Sequence, residues 1–188
     1  YSSTIYYDDG KTVSDTLVAS GANRKYVTID EIPTNLQHAF VAIEDARFYE
    51  HNGIDLYGIT RAAVECIKSR DFSQGASTIT QQLIKNNVLT SWTSESSNIE
   101  KLQRKIQEQF LALELEKQVN DKQWILENYM NSINLGANTL GVQAASQRYF
   151  NKDVSELTLS ECAVIAGITQ NPSRYNPITH PEENQKRR

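Results

Sequence analysis

The residues best suited to chemistry in this 188-residue chain begin with two adjacent carboxylates, Glu44 and Asp45. On a helix, Glu44 lies close to Phe40, at the edge of an apolar stripe that includes Leu36 and Ile43. A carboxylate at such an edge is partly stripped of water, which makes it a better proton acceptor and suits a general base. The alternative is that both acids form only the solvated end of an amphipathic helix.

A second candidate segment, residues 75–87, carries polar side chains at the spacing of one helix face. These side chains are Thr78, Gln81, Gln82 and Lys85. Helix faces that contact only water more often carry Glu, Lys and Arg, whereas this face carries hydrogen-bonding groups and ends in a cation. The small residues Gly75 and Ala76 would let the backbone approach a ligand, and the free N–H groups of a helix start can bind an anion. The alternative is an ordinary polar face with a Ser or Thr cap.

Cations dominate a third segment, which contains Lys101, Arg104 and Lys105 followed by Glu108. An arginine can donate two parallel hydrogen bonds to a phosphate, so the segment could form a phosphate-binding wall. The alternative is a helix surface with ion pairs between residues four apart. Together, the three segments predict a cleft in which a carboxylate removes a proton and cations stabilise a leaving phosphate.

The elements that position these residues are predominantly helical, so the predicted fold class is mostly α with a small N-terminal β element. Residues 1–30 contain a predicted hairpin around Asp9 and Gly10 and a second extended segment from Lys25 to Ile29. The predicted domains are this β/linker element, residues 1–30, and one domain over residues 31–188. Asn-Pro pairs at 171–172 and 176–177 should end the helical part.

Seven helices are predicted from periodicity and capping signals. The first starts near Thr34 with a Thr34–Gln37 capping box, and a later one starts at the Thr158–Glu161 box. Between them lie Leu56–Ser69, a helix from Ser77 through Val88, Ile99–Gln118, one capped by Asp121, and Leu140–Phe150. The third of these, Ile99–Gln118, has an apolar stripe formed by Leu102, Ile106, Phe110 and Leu113. Residues 90–98 read as a loop.

Composition narrows the function classes. The chain has 39% hydrophobic and 22% charged residues, which is ordinary for a globular domain, and its net charge of −4 argues against nucleic-acid binding. Cys66 and Cys162 lie in apolar helical patterns and do not form a disulfide framework or a metal motif. No stretch approaches the roughly 20 apolar residues of a membrane span, and the abrupt ends suggest a module excised from a longer protein.

Five segments, in order, resemble the signatures of the peptidoglycan glycosyltransferases, glycosyltransferase family 51, which form the polymerase module of class A penicillin-binding proteins. The first two are EDARFYEHNG at 44–53 and GASTITQQLIKN at 75–86. The third and fourth are RKIQE at 104–108 and ILENYMN at 125–131 with Gly136. The fifth is GVQAA at 141–145 with Tyr149 and Phe150. The resemblance implies a lysozyme-like, two-lobed helical fold.

That resemblance also implies an activity, the polymerisation of lipid II into β-1,4-linked glycan with release of polyprenyl pyrophosphate. Glu44 would deprotonate the 4-hydroxyl of the acceptor sugar, with inversion at the donor carbon. Asp45, Phe48 and His51 would support Glu44. Thr78, Gln82 and Lys85 would line the sugar–pyrophosphate path, with Ser77 and Gln81 near it. Arg104, Lys105 and Glu108 would surround the leaving pyrophosphate.

Cofactor, partners and location are likewise implied by the resemblance. A divalent cation, Mg²⁺, is expected, although the sequence has no metal motif of its own. The expected partners are lipid II, the growing glycan strand, the bacterial membrane surface and a phosphoglycolipid inhibitor, moenomycin. The intact protein would be anchored at the outer face of the cytoplasmic membrane, with a transpeptidase after the module. Val88–Trp92 matches a membrane-dipping region, and residues 181–188 resemble the start of the connector.

Two other functions compete with this hypothesis. A lysozyme-like hydrolase would use two carboxylates, such as Glu44 and Glu108, but a neutral glycan needs no cationic wall. A non-catalytic module that binds cell-wall lipid or a partner protein would need the cleft but no general base.

Overall fold

A computed structural model describes residues 3–17, 25–69, 76–89 and 97–188. The described chain is mostly helical, which confirms the predicted fold class. Its helices are α1 Thr34–Glu44, α2 Leu56–Ser69, α3 Ile79–Asn87, α4 Asn98–Val119, α5 Lys122–Met130, α6 Val142–Phe150, α7 Leu159–Ile168 and α8 Pro181–Arg187. None of them, within these ranges, combines the length and apolar character needed to cross a membrane.

The N-terminal β element is an antiparallel pair, β1 Ser3–Tyr6 and β2 Val13–Leu17, as the hairpin prediction expected. Asp9 closes the connecting turn by accepting hydrogen bonds from the backbone N–H of Lys11 and Thr12, each 2.8 Å long. The second predicted extended segment is not a strand in the described residues. A short 3₁₀ helix, Ile29–Glu31, begins there instead.

The chain divides into two compact units, one made of residues 1–39 and 130–188 and the other of residues 40–129. The boundary predicted between residues 30 and 31 separates the N-terminal β/linker element from the domain that follows it, and this boundary stays a prediction. All residues singled out for chemistry belong to the second unit.

In the first unit, buried asparagines satisfy backbone groups of irregular segments. The Asn131 amide donates to the Val27 carbonyl at 2.7 Å and accepts from the Val27 N–H at 2.9 Å. Asn184, on α8, donates to the carbonyls of Val164 and Tyr175 at 3.1 and 2.9 Å. The prediction that the helical part ends at the Asn-Pro pairs is therefore wrong, because Pro181 starts α8 and Asn184 fastens it to α7. The resemblance of residues 181–188 to the start of a connector stays a prediction.

Capping follows the sequence signals at two of the three predicted sites. Thr158 and Glu161 form the expected box at α7, Asp121 accepts from the first N–H groups of α5, and α3 has a box of its own. The predicted Thr34–Gln37 box is wrong, since the Gln37 amide donates instead to the Ile29 and Ile32 carbonyls at 3.1 and 2.8 Å. Gln37 thereby ties the 3₁₀ helix to α1.

In the second unit, α4 has its polar and apolar faces reversed. Its buried residues are Glu108, Ala112 and Glu116, at intervals of four. The predicted apolar stripe is exposed: 63% for Leu102, 59% for Ile106, 69% for Phe110 and 45% for Leu113. An apolar stripe is ordinarily the buried face of a helix, and that expectation is wrong here because the opposite face makes ion pairs and a close backbone contact.

The close contact is between Gly53 and α4. Gly53 has φ +90°, and a Cβ there would lie 2.6 Å from the Ala112 carbonyl oxygen. This backbone carbonyl cannot move without bending α4, so only glycine allows the segment that follows Glu44 and Asp45 to pack against the helix.

We expect Gly53→Ala to lower the free energy of unfolding by about 3 kcal/mol, because it adds both left-handed strain and an overpacked contact. Thermal and denaturant unfolding would measure this loss. Gly10→Ala is the matched control, since Gly10 has φ +65° but nothing within 4 Å of the added Cβ. Equal losses in the two variants would show that the contact with Ala112 is not what selects glycine at position 53.

Candidate active site

Glu44, the last residue of α1, is half-buried and contacts α3. Its Oε2 accepts a hydrogen bond of 2.8 Å from Nε2 of Gln82. Two residues that the sequence assigned to one site, 38 positions apart in the chain, are therefore in direct contact. The contact orients the carboxylate while leaving part of it accessible to a ligand.

Tyr129 fixes the amide that holds Glu44, and sequence analysis gave it no role beyond the helix core. Its hydroxyl donates to Oε1 of Gln82 at 3.2 Å, so the Gln82 NH₂ group must face Glu44. Tyr129 is completely buried. Burial, followed by the charges of Glu44 and Asp45, holds the pKa of Tyr129 well above its usual value, so it remains a donor at neutral pH. A buried tyrosine in an apolar helix pattern carries no sequence signal for this role.

Asp45 is buried and contacts both His51 and the start of α3. Both of its oxygens lie 2.9–3.0 Å from Nε2 of His51, and Oδ2 also accepts from the Ile79 N–H, at the start of α3, at 3.0 Å. The Gly53 N–H donates to Nδ1 of His51 at 3.2 Å, which places the ring proton on Nε2, toward Asp45. Asp45 thus anchors the chain just after Glu44 to the positive end of α3.

Phe48, predicted to support Glu44, and Thr78 and Gln81, predicted on or near the substrate path, are all buried. The Thr78 hydroxyl donates to the Gly53 carbonyl at 2.7 Å and accepts from the Gln81 N–H at 3.2 Å, completing the α3 capping box. Phe48 packs edge-on against His51. In the described structure these three side chains support the site from within, and contact with a substrate stays a prediction for them.

The predicted cationic wall is built around Glu108, whose side chain is 1% exposed. Arg104 pairs with Oε1, and the Lys105 ammonium lies 2.7 Å from Oε2 and 2.7 Å from the Ser77 hydroxyl. Because Glu108 is enclosed by its two cations, it holds them in place. The Ser77 contact brings this cluster to the residues just before α3.

Lys85 connects the cluster with Glu44. It lies one helical turn beyond Gln82 on α3, and its charge interacts with Glu108, Lys105, Arg104 and Glu44. Burial lowers the pKa of the Lys85 ammonium, as do Lys105 and Arg104, whereas the two carboxylates raise it. A partly desolvated cation in this position would gain strongly from an incoming anion.

A cavity of about 160 Å³ opens between Glu44 and the residues just before α3. It is lined by Glu44, Asp45, Ala46, Arg47, Asp55, Gly58, Arg61, Ala76, Ser77 and Thr78. Arg47 is held there by an ion pair with Asp55 and by the face of Tyr57, 4.0 Å from the ring centroid. The carboxylate of Glu44 therefore borders a space large enough to admit part of a sugar.

The sequence profile of the transglycosylase family matches residues 9–188. The chain belongs to the transglycosylase family. This match confirms the family and the enzyme class, a transglycosylase, that the motifs predicted.

Curated relatives of this chain carry the name penicillin-binding protein. Penicillin-binding protein 1A of Clostridium botulinum is 47% identical over 182 residues, covering 94% of this chain and 21% of the relative. Penicillin-binding protein 1A/1B of Bacillus subtilis is 42% identical over 189 residues, covering 100% and 20%. The chain thus spans about a fifth of the length of the relatives it matches. A crystal structure of penicillin-binding protein 1A from Haemophilus influenzae matches 98% of this chain and 16% of its own, at 27% identity and a TM-score of 0.48.

The chain offers no ready ligand set for the expected Mg²⁺ in the part that the structure describes. No group of three His, Cys, Asp or Glu side chains there could hold a metal ion. Both Glu108 oxygens face cations, and both Asp45 oxygens face His51. These residues do not fit a protein-held cation, and the expected Mg²⁺ dependence stays an untested prediction.

Proposed function

We propose that this chain polymerises lipid II into β-1,4-linked glycan, with Glu44 as the general base and polyprenyl pyrophosphate as the leaving group. The observation that carries the proposal is the position of α3. Its Gln82 binds Glu44, its Lys85 interacts with both Glu44 and Glu108, and the preceding Ser77 binds Lys105. A proton acceptor and a set of cations thus face the same short helix.

The reaction follows from that arrangement. The 4-hydroxyl oxygen of the acceptor sugar, seated in the cavity beside Glu44, attacks the anomeric carbon of the lipid-linked donor and gives its proton to Glu44. The bond from that carbon to the pyrophosphate oxygen breaks, and its electron pair leaves on the pyrophosphate. Lys85, Arg104 and Lys105 stabilise the charge that develops there. Attack opposite the leaving group inverts an α-linked donor into a β linkage.

The cationic cluster favours transfer over hydrolysis. An inverting hydrolase needs a second carboxyl group as a general acid, and Glu108 is the nearest candidate on α4. Glu108 is buried, however, and its two carboxylate oxygens contact Arg104 and Lys105, so neither oxygen faces a scissile bond. The cations themselves serve a charged leaving group, which a neutral glycan lacks.

Incubation with lipid II in detergent, followed by gel separation of the glycan strands, tests the proposal. Strands should form, moenomycin should block them, and preformed peptidoglycan should release no fragments. Fragment release without strand growth would establish the hydrolase instead. Binding of lipid II without either product would establish a non-catalytic module.

We further propose that this activity takes place at a membrane surface, at the outer face of the bacterial cytoplasmic membrane. Lipid II carries a polyprenyl chain that must stay in a bilayer while its head group reacts. The exposed stripe on α4, Leu102, Ile106, Phe110 and Leu113, supports this proposal, as does Val88, 60% exposed near the end of α3. Trp92 and most of the predicted membrane-dipping segment lie outside the described residues.

Phe110→Asp is expected to weaken binding to anionic phospholipid vesicles about tenfold, because a charge replaces an exposed aromatic ring at the apolar stripe. Co-sedimentation with vesicles measures the effect. Leu159→Asp is the matched control, since Leu159 is 67% exposed but lies on α7, in the other unit. A similar loss in both variants, or none in either, would contradict a membrane-facing role for α4.

A further inference from the structure

An ion pair between a buried carboxylate and a half-buried ammonium lies in the second unit, outside every motif assigned to the reaction. Glu116, on α4, is 7% exposed, and its Oε1 lies 2.7 Å from the ammonium of Lys122, the first residue of α5. Burying two charges is unfavourable unless each finds further partners. The other contacts of both residues lead to segments that carry the proposed catalytic groups.

Lys122 contacts the segment that follows Glu44. Its ammonium donates to the His51 carbonyl at 2.6 Å and lies 4.6 Å from the centroid of the Phe48 ring. The first contact fixes the backbone of His51, whose ring binds Asp45. The second contact fixes the Phe48 ring, which packs against the His51 ring. A cation suits both contacts, because a carbonyl oxygen and an aromatic face each attract positive charge.

Glu116 contacts α3 on its other side. The Thr80 hydroxyl donates to Oε1 of Glu116 at 2.6 Å. Thr80 is fully buried in the first turn of α3, next to Ile79, whose N–H binds Asp45. One carboxylate therefore links the start of α3, the end of α4 and the start of α5.

We propose that Glu116 and Lys122 are positioning residues that hold the His51 segment and α3 in the register needed for Asp45, and hence Glu44, to function. Lys122 sets the His51 backbone, His51 binds Asp45, and Asp45 binds the start of α3, which Glu116 holds through Thr80. This inference rests on the proposed function of Glu44. The pair touches neither Glu44 nor the cationic cluster in the contacts described, so it acts on catalysis only through His51 and α3.

Two variants test this role in the 188-residue chain, Lys122→Met and Thr80→Val. Each keeps the side-chain volume and removes the interaction with Glu116. We expect kcat for lipid II polymerisation to fall about tenfold or more with KM little changed, because small displacements of a catalytic group reduce turnover strongly. Lys122→Arg, which keeps the cation, should recover most of the lost kcat.

Lys152→Met is the matched control. Lys152 makes an ion pair of the same length, 2.7 Å, with Glu161, but that pair lies in the other unit. This variant should leave kcat unchanged even if it lowers the melting temperature. Should Lys122→Met and Thr80→Val lose no more kcat than Lys152→Met, the positioning role would be overturned.

Nitrogen-15 NMR of the histidine side chains gives a readout that does not depend on activity. In the parent chain, His51 should show the proton on Nε2 and a hydrogen bond to Asp45, and Lys122→Met should weaken that signature while Lys152→Met preserves it. His51→Gln assigns the resonance. If the parent chain fails to polymerise lipid II, the proposed function fails, and an unchanged His51 signature in folded Lys122→Met or Thr80→Val would separately refute the positioning pair.

Discussion

Glu44→Gln is expected to reduce polymerisation by a factor on the order of 10³, within the range general-base catalysis contributes, while lipid II binding largely survives. Glutamine keeps the volume and the position at the end of α1 but cannot take the acceptor proton. Its amide can still pair with Gln82 by presenting its oxygen, so the local structure should persist. Strand formation and binding to lipid II in detergent would be measured separately.

Glu50→Gln is the control for this variant, because Glu50 is an exposed glutamate six residues further along the same segment. It should polymerise at the parent rate. Normal polymerisation by Glu44→Gln would mean that another group accepts the proton. Loss of binding together with activity would instead assign Glu44 to substrate recognition.

Lys85→Ala should lower turnover on the order of 10²-fold or more, because it removes a partly buried cation from the position where leaving-group charge develops. The loss should appear mainly in kcat, since the pyrophosphate gains charge in the transition state. Lys117→Ala, on the exposed side of α4, should have no such effect. A Lys85→Ala enzyme with normal turnover would remove the main support for the phosphate wall.

The depressed pKa of Lys85 adds a pH dependence to this prediction. Burial favours the neutral amine of Lys85. The parent enzyme should therefore lose activity at a lower alkaline pH than it would if Lys85 had the pKa of an ordinary lysine. Arginine stays charged throughout that range. Lys85→Arg should therefore move the alkaline limb of the kcat profile to higher pH, even if its peak rate is lower.

Sequence patterns predicted most of the helices because caps and apolar periodicity are local signals. The bounds of α2 are as predicted, and α4 differs by one residue at each end. Motif resemblance and residue chemistry placed Glu44 and Gln82 in one site, but they did not predict the direct contact between them, because nothing local specifies a pairing across 38 positions.

The supporting groups could not be predicted for a physical reason. Tyr129 and Lys122 resemble, respectively, a core aromatic and an ordinary first-turn lysine, and their roles depend on atoms that only the folded chain brings near them. The faces of α4 were misjudged because the apolar pattern assumes that water covers the polar side. Here Glu108 and Glu116 are buried and paired with partly exposed cations, so the polar side is the interior one.

The reversed helix α4 also constrains how this protein can evolve. Glu108 and Glu116 are eight residues apart, about 12 Å along the axis, with Ala112 midway between them. One inserted or deleted residue would rotate the two carboxylates by about 100° relative to each other and separate one of them from its partners. Natural variation in this stretch should therefore exchange one outward side chain for another while keeping the number of residues fixed.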